Sequence, residues 1–368
     1  MESCSVLIVG GGPAGSSCAK SLRDAGVDVT ILDKSTFPRN KVCGGWITPQ
    51  VLDRLNIDPA EYVSERVLQP ITGFRTSLIG HSEVATEYGR TVSYGILRFE
   101  FDDYLLKRCG AQLRLGTPLN SIERSTNGWI VNGQIHTQLI VGAGGHFCPV
   151  ARYLGARNSQ ETPVTAQEVE FLMNASQLES CSIQGEIPEL FFCEDMVGYG
   201  WCFRKGDILN VGLGRLDPHS LPAHISDFVR FLAKTGKVAF DLPHSMRGHA
   251  YLIRRQAKRT LVSDGILLIG DAAGLAYSQS GEGILPAIES GLLAARAILK
   301  ANGQYTRDRL TIYSELLTSR FGNSQGDWVT RIGQLLPQRL MHSAARMLVP
   351  TPWFSRNILL DRWFLHLR

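Results

Sequence analysis

The run Gly10-Gly11-Gly12-Pro13-Ala14-Gly15 constrains this chain more than any other segment, because it lies between an apolar strand pattern at 6–9 and a helical pattern at 13–24. The glycines satisfy GxGxxG in the setting where that spacing carries meaning, namely strand, tight turn and helix. Gly10 permits the turn, Gly12 lets the backbone approach a pyrophosphate, and Gly15 allows close helix packing. Pro13 and Ala14 complete the loop, and the positive end of the helix faces the phosphate charge. A second strand pattern at 27–32 ends in Asp33, 18 residues beyond Gly15, with Lys34 after it. A carboxylate there suits the ribose hydroxyls of a dinucleotide, so the opening is expected to be a dinucleotide-binding βαβ unit.

The 368 residues exceed one compact core and predict two lobes, at about 100 to 200 residues each. A hydrophobic content of 44% with 20% charged residues is that of a soluble globular protein. Thirty-eight basic against 34 acidic residues is too small an excess for a nucleic-acid partner. The eight cysteines form no CxxC pair, so no metal site is expected and most are read as reduced, buried residues. Glu2 and the early break at Gly10 do not fit an export signal, and the longest apolar runs fall short of a membrane span, which makes the cytoplasm the expected compartment.

Strand and helix patterns assign 1–45, 97–150 and 250–325 to the cofactor lobe, interleaved with a substrate lobe at 46–96 and 151–249. The first is expected to be α/β and Rossmann-like with a parallel sheet. The second is expected to be mainly antiparallel, with a hairpin around Lys205-Gly206-Asp207. A helical C-terminal tail at 326–368, rich in arginine and large apolar residues, is read as packing on the cofactor lobe, with peripheral membrane contact as the rival reading.

Two further stretches are expected at the same pocket. Residues 266–274 (ILLIGDAAG) form a short buried strand that delivers Gly270 and Asp271 at its end, where the carboxylate can accept a hydrogen bond from a ligand hydroxyl. Ser280-Gly281-Glu282-Gly283-Ile284 leads into a long amphipathic helix whose first amides form an anion site, with Gly281 and Gly283 letting the backbone come close. The chain resembles the flavin-dependent monooxygenase and reductase superfamily, and within it the geranylgeranyl reductase group. Phe37-Pro38-Arg39 with Lys41-Val42-Cys43-Gly44-Gly45-Trp46 is similar to the PRxKxCGG segment, and Arg98, Phe101 and Asp102 to the RxxFD segment. Tyr199-x-Trp201-x-Phe203 followed by Gly206-Asp207 and Asn210-Val211-Gly212 is similar to the YxWxF strand and its hairpin.

The resemblance implies FAD as cofactor, contacted by Arg39 and Arg98, with the PRxKxCGG segment beside the isoalloxazine ring. It implies an apolar small-molecule substrate, unsaturated or polycyclic, and isoprenoid double-bond reduction as the leading activity. Backbone donors at Gly283 and Ile284 would stabilise negative charge on the ring. Cys43, Gly44 and Gly45 are candidates for the reacting face, with glycines leaving it open. Trp46, Tyr199, Trp201 and Phe203 are candidate substrate-lining residues, ordinary packing being the alternative. His146 is a candidate acid or base, weighed against a turn or surface role.

One departure stands out: where many relatives read GADG, this chain has Gly142-Ala143-Gly144-Gly145. Loss of that Asp counts against efficient direct reduction by NADPH or NADH and leaves room for a separate electron donor. Oxygen-dependent hydroxylation or epoxidation is the rival chemistry; halogenation is disfavoured because GWxWxIP is missing. A flavoprotein that modifies or passes electrons to another protein is the third class.

Overall fold

The strand Glu2–Val9 is buried without a break from Val6 onward, as expected of a strand covered on both faces of a parallel sheet. It pairs in parallel with Ile135–Gly142 on one side and Val29–Leu32 on the other. Ile266–Leu268 and Gln112–Arg114 extend this parallel core outward. Val262–Ser263, Gly128–Val131 and Ile122–Ser125 add antiparallel strands, giving eight in all. In this computed structural model the described residues are 1–156, 161–217, 220–243, 246–322 and 338–367.

The helix Pro13–Asp24 packs against the long helix Ile284–Ala301. A Cβ at Gly291 would lie 2.4 Å from the Ala14 carbonyl oxygen, so this crossing is open only to glycine. These elements belong to one compact unit: Met1–Asn40, the described part of Phe99–Pro163, and residues 251–322.

The second unit takes Lys41–Arg98, the described part of Val164–Ala250, and residues 338–367. In its seven-stranded sheet Val164–Leu172, Ile208–Arg215, Gly198–Lys205 and Glu189–Phe192 pair antiparallel in that order, as do Gly73–Leu78 and Val84–Glu87, while Glu189–Phe192 runs parallel to Gly73–Leu78. The expected hairpin is present: Gly198–Lys205 turns through Gly206, at a φ of +60°, into Ile208–Arg215. Lys41–Gly45 groups with this sheet, and 151–156 with the parallel-sheet unit, so the borders differ from the sequence expectation by several residues. Cys43 is drawn to the second unit by its backbone bond to Glu168.

The tail requires a correction. Its described part forms the helix Gln338–Leu348, a turn at Pro352–Phe354 and a π-helical stretch Ser355–Phe364; 332–337 lies outside the described residues. It packs on the antiparallel sheet of the second unit rather than on the cofactor lobe. Val349, Leu359, Leu360, Phe364 and Leu365 are buried in one cluster with Trp46, Phe74, Phe192 and Trp201. Tyr88 donates to Asp361 at 2.7 Å and the hydroxyls of Thr76 and Ser355 pair at 2.9 Å. An apolar stripe on a helix requires a partner surface but does not say which; here it is the face carrying Trp46, Phe74, Phe192 and Trp201. Among the described residues no helix is long and apolar enough to cross a membrane.

Candidate active site

Within the parallel-sheet unit the glycine loop divides into positions the chain needs for itself and one it leaves open. Gly10 has a φ of +117°, and a Cβ there would lie 2.4 Å from the Ala143 carbonyl oxygen. A Cβ at Gly15 would lie 1.9 Å from the Gly10 carbonyl oxygen. At Gly12 the nearest atom a Cβ would meet is Nη2 of Arg39, at 3.4 Å. Gly12 is also the N-cap of its helix and brings no side chain to cover the first-turn amides, with Pro13 and Ala14 buried behind it. Arg39 is fixed by an ion pair to the fully buried Asp102 at 3.1 Å and lies over the Phe37 ring at 4.7 Å. A helix dipole end and an anchored guanidinium therefore converge on one open stretch of backbone, which is an anion seat.

Asp33 has a task the sequence did not reveal. Its Oδ2 accepts the Gly11 N–H at 2.7 Å and its Oδ1 accepts the Ser35 N–H at 2.8 Å, so the carboxylate fastens the glycine loop to the strand end. Lys34 is exposed, whereas Arg98 is buried at the head of the helix Arg98–Arg108.

Gly270, at a φ of +59°, opens the short turn Gly270–Ala273, and a Cβ there would approach the Ala14 Cβ to 2.9 Å. Asp271 Oδ1 lies 3.1 Å from where a Gly283 Cβ would stand, beside the N-terminus of Ile284–Ala301. Glu282 accepts the Leu285 N–H at 2.8 Å and caps that helix, and burial pushes its carboxyl up to about 7. Gly281 has a φ of +70°, with the Tyr251 hydroxyl 2.3 Å from a Cβ built there.

Sequence reasoning missed Arg259. It forms an ion pair with Glu161 at 2.6 Å and donates to the carbonyls of Ala272 at 2.9 Å and His146 at 2.9 Å, tying two loops of the cradle together. No motif or periodicity singles it out. It also contacts His146, which is buried with Nδ1 3.3 Å from Arg259 Nη2. A guanidinium only donates, so Nδ1 accepts there. Gly144 is enclosed as well: a Cβ would meet Cys148 Sγ at 3.3 Å and Pro149 Cδ at 3.4 Å, so a side chain there would need its neighbours to give slightly.

In the second unit, Gly45 is demanded by the backbone. It has a φ of +64°, and a Cβ would stand 2.2 Å from the Ile96 carbonyl oxygen. Gly44 faces the aromatic strand, where a Cβ would lie 3.4 Å from Trp201 Nε1 and 3.5 Å from Phe203. Cys43 is half-buried and a free thiol, while the other seven cysteines are buried and also free. Trp46, Trp201 and Phe203 are brought together in one packed cluster, each less than a tenth exposed, with Tyr199 half-buried at its edge. Phe364 from the tail closes on Tyr199 at 5.3 Å and on Trp46 at 5.7 Å. These aromatics are therefore packed residues of the core, with Tyr199 the most accessible of the four.

The family model described as FAD binding domain matches residues 3–318. The chain belongs to this flavoprotein family. It is 29% identical to a menaquinone reductase of Mycobacterium tuberculosis, over 87% of this chain and 81% of that protein. It is also 29% identical to digeranylgeranylglycerophospholipid reductase 3 of Methanosphaera stadtmanae, over 86% of this chain and 83% of that one. A geranylgeranyl bacteriochlorophyll reductase-like protein of Thermoplasma acidophilum shares the fold, with a TM-score of 0.81 at 18% identity, covering 99% of this chain and 97% of that one. The chain is accordingly an FAD-dependent oxidoreductase.

The residues fit FAD. The uncapped amides at Gly12 beneath Arg39 suit the charge of a pyrophosphate, and the open backbone there is what such an approach requires. In this flavoprotein two buried carboxyls should govern the pH dependence of stability. Burial pushes both Glu168 and Glu282 up to about 7 from 4.5. Between those values the folded state keeps protons that the unfolded chain releases, so stability falls as pH rises through the window. Each group contributes up to about 3 kcal/mol to the loss. Urea midpoints measured at pH 5 and pH 8 should show the drop, and Glu282→Gln should remove about half of it; an unchanged slope in that variant would reject the assignment.

Proposed function

We propose that this oxidoreductase reduces carbon–carbon double bonds of an isoprenoid chain carried on a lipid or quinone, with the parallel-sheet unit as its cofactor domain and the second unit as its substrate domain. The observation that carries the reading is the glycine loop Cys43–Gly45 set against the aromatic strand of Trp201 and Phe203, in a chain whose relatives are a digeranylgeranylglycerophospholipid reductase and a menaquinone reductase. Aromatic side chains around a glycine loop, with Tyr199 the most accessible of them, suit a flexible, apolar polyene better than a polar substrate.

Bound FAD supplies a two-electron carrier that exchanges hydride with substrate. Gly12 and Arg39 hold its pyrophosphate, and Asp33 keeps the glycine loop in the shape that does so. The amides of Gly283 and Ile284, at the positive end of their helix, offset negative charge nearby, while Asp271 accepts a hydroxyl hydrogen bond. In the second unit, Gly44 keeps side-chain bulk off the Trp201 and Phe203 rings. The absence of a carboxylate at Gly144 favours a separate electron donor over direct reduction by NADPH or NADH. Met347, Leu348 and Trp353 are exposed at 73%, 43% and 67%, which supports peripheral contact of the tail with a lipid surface.

Purified holoprotein mixed anaerobically with a geranylgeranyl lipid or menaquinone, and reduced with dithionite, should yield product that, after reoxidation of any quinol in air, is heavier by two hydrogens for each bond saturated. Bleaching of the flavin by NADPH or NADH would overturn the separate donor. Product that requires oxygen and gains an oxygen atom would overturn double-bond reduction. With substrate presented in vesicles, Trp353→Glu should raise KM several-fold at unchanged kcat, and equal KM values would reject the lipid contact.

A further inference from the structure

Beneath the Cys43–Gly45 loop lies a buried polar network that the function above does not use, built on three neighbouring strands of the second unit. Across them Glu170 pairs with Asn210 and Asn210 with Phe203, while Glu168 pairs with Gly212 and Gly212 with Trp201. Gly212 leaves the space this needs, since a Cβ there would lie 2.3 Å from the Trp201 ring and 2.8 Å from the Glu168 Cβ.

The direction of every hydrogen bond follows from one donor. The Trp201 indole N–H can only donate and is 2.7 Å from Asn210 Oδ1, which fixes the amide orientation. Asn210 Nδ2 then shares its two hydrogens among the Cys43 carbonyl at 3.3 Å, Glu168 Oε2 at 3.4 Å and Glu170 Oε2 at 3.1 Å. Glu168 Oε1 accepts the Cys43 N–H at 2.5 Å. Lys205, itself buried, donates to Glu170 at 2.6 Å. The backbone of Cys43 is thus held at its N–H by Glu168 and at its carbonyl by Asn210, and both oxygens of Glu168 face donors.

We propose that Glu168 and Asn210 form a clamp that sets the position of the Cys43–Gly45 loop, with the Glu168 carboxylate as the positioning residue that works only in its charged form. The groups facing it are the Cys43 amide from the loop, Glu170 from its own strand, Lys205 from the second strand and Asn210 from the third. A proton on Glu168 leaves a neutral carboxyl, a weaker acceptor for the Cys43 N–H and for the Asn210 amide that Trp201 holds in place. Neutral Glu168 therefore loosens one side of the clamp, and the loop carrying Gly44 is held less firmly.

The significance of the clamp for turnover rests on the proposed role of the loop at the reacting face, but its existence can be tested without turnover. Cys43 is the one half-buried cysteine, so a disulfide reagent in the folded holoprotein reads the loop through its thiol, with Cys43→Ser identifying the signal. Glu168→Gln places an amide against Asn210 and should speed Cys43 labelling at least tenfold at fixed pH while flavin content is retained. The same variant should lower kcat at unchanged KM and flatten the pH dependence of labelling relative to wild type. Should Glu168→Gln fail to fold, Asn210→Ser removes the other half of the clamp from a different strand and should give the same acceleration. Labelling at the wild-type rate in a folded variant would overturn the clamp. Accelerated labelling in a protein that reduces no isoprenoid would leave the clamp standing and reject the functional reading instead.

Discussion

Gly15→Ala protein is expected to emerge from purification without FAD and destabilised by about 3 kcal/mol or more. The added methyl would stand 1.9 Å from the Gly10 carbonyl oxygen, and Gly10 is itself pinned against Ala143, so backbone has to move on both sides of the phosphate seat. The ratio of flavin to protein absorbance and the urea midpoint read the two effects. Gly12→Ala separates them, because its Cβ meets only Arg39 Nη2 at 3.4 Å. That protein should keep its midpoint while binding FAD at least tenfold more weakly. Gly26→Ala, with a φ of +80° and nothing within 4 Å, should cost about 1 kcal/mol and keep FAD. Full flavin content in Gly15→Ala would show that the loop does not seat the cofactor as described.

Gly44→Leu is expected to retain FAD and to lose at least a hundredfold in kcat/KM. Alanine at this position fits in ordinary contact with Trp201 and Phe203, at 3.4 and 3.5 Å, and should be nearly silent. A leucine extends into those rings, which are fixed by the cluster around Trp46 and by the indole bond to Asn210, and must displace them. Steady-state turnover beside flavin content checks this, and wild-type kcat/KM in folded Gly44→Leu would remove the loop from the reaction.

Much of the cofactor unit was legible because its signals are local. A strand, a glycine turn and a helix occupy consecutive residues, and the positive φ at Gly10 or the contact at Gly15 constrains residue type directly. The hairpin at Gly206 and the antiparallel character of the second sheet follow from similarly short-range patterns.

What the tertiary structure alone decided are the pairings between residues far apart in the chain. Arg259 reaching His146 spans 113 residues, and Glu168 reaching Cys43 spans 125. Neither Arg259 nor Glu168 carries a motif, and the partner of His146 could not be seen from its neighbours. The tail shows the same limit, since its apolar stripe required burial but its choice of sheet depended on which aromatic face lay within reach. Periodicity and turn chemistry act over a few residues and are written in the sequence; the partner of a buried charge or an apolar face is set by where distant strands meet.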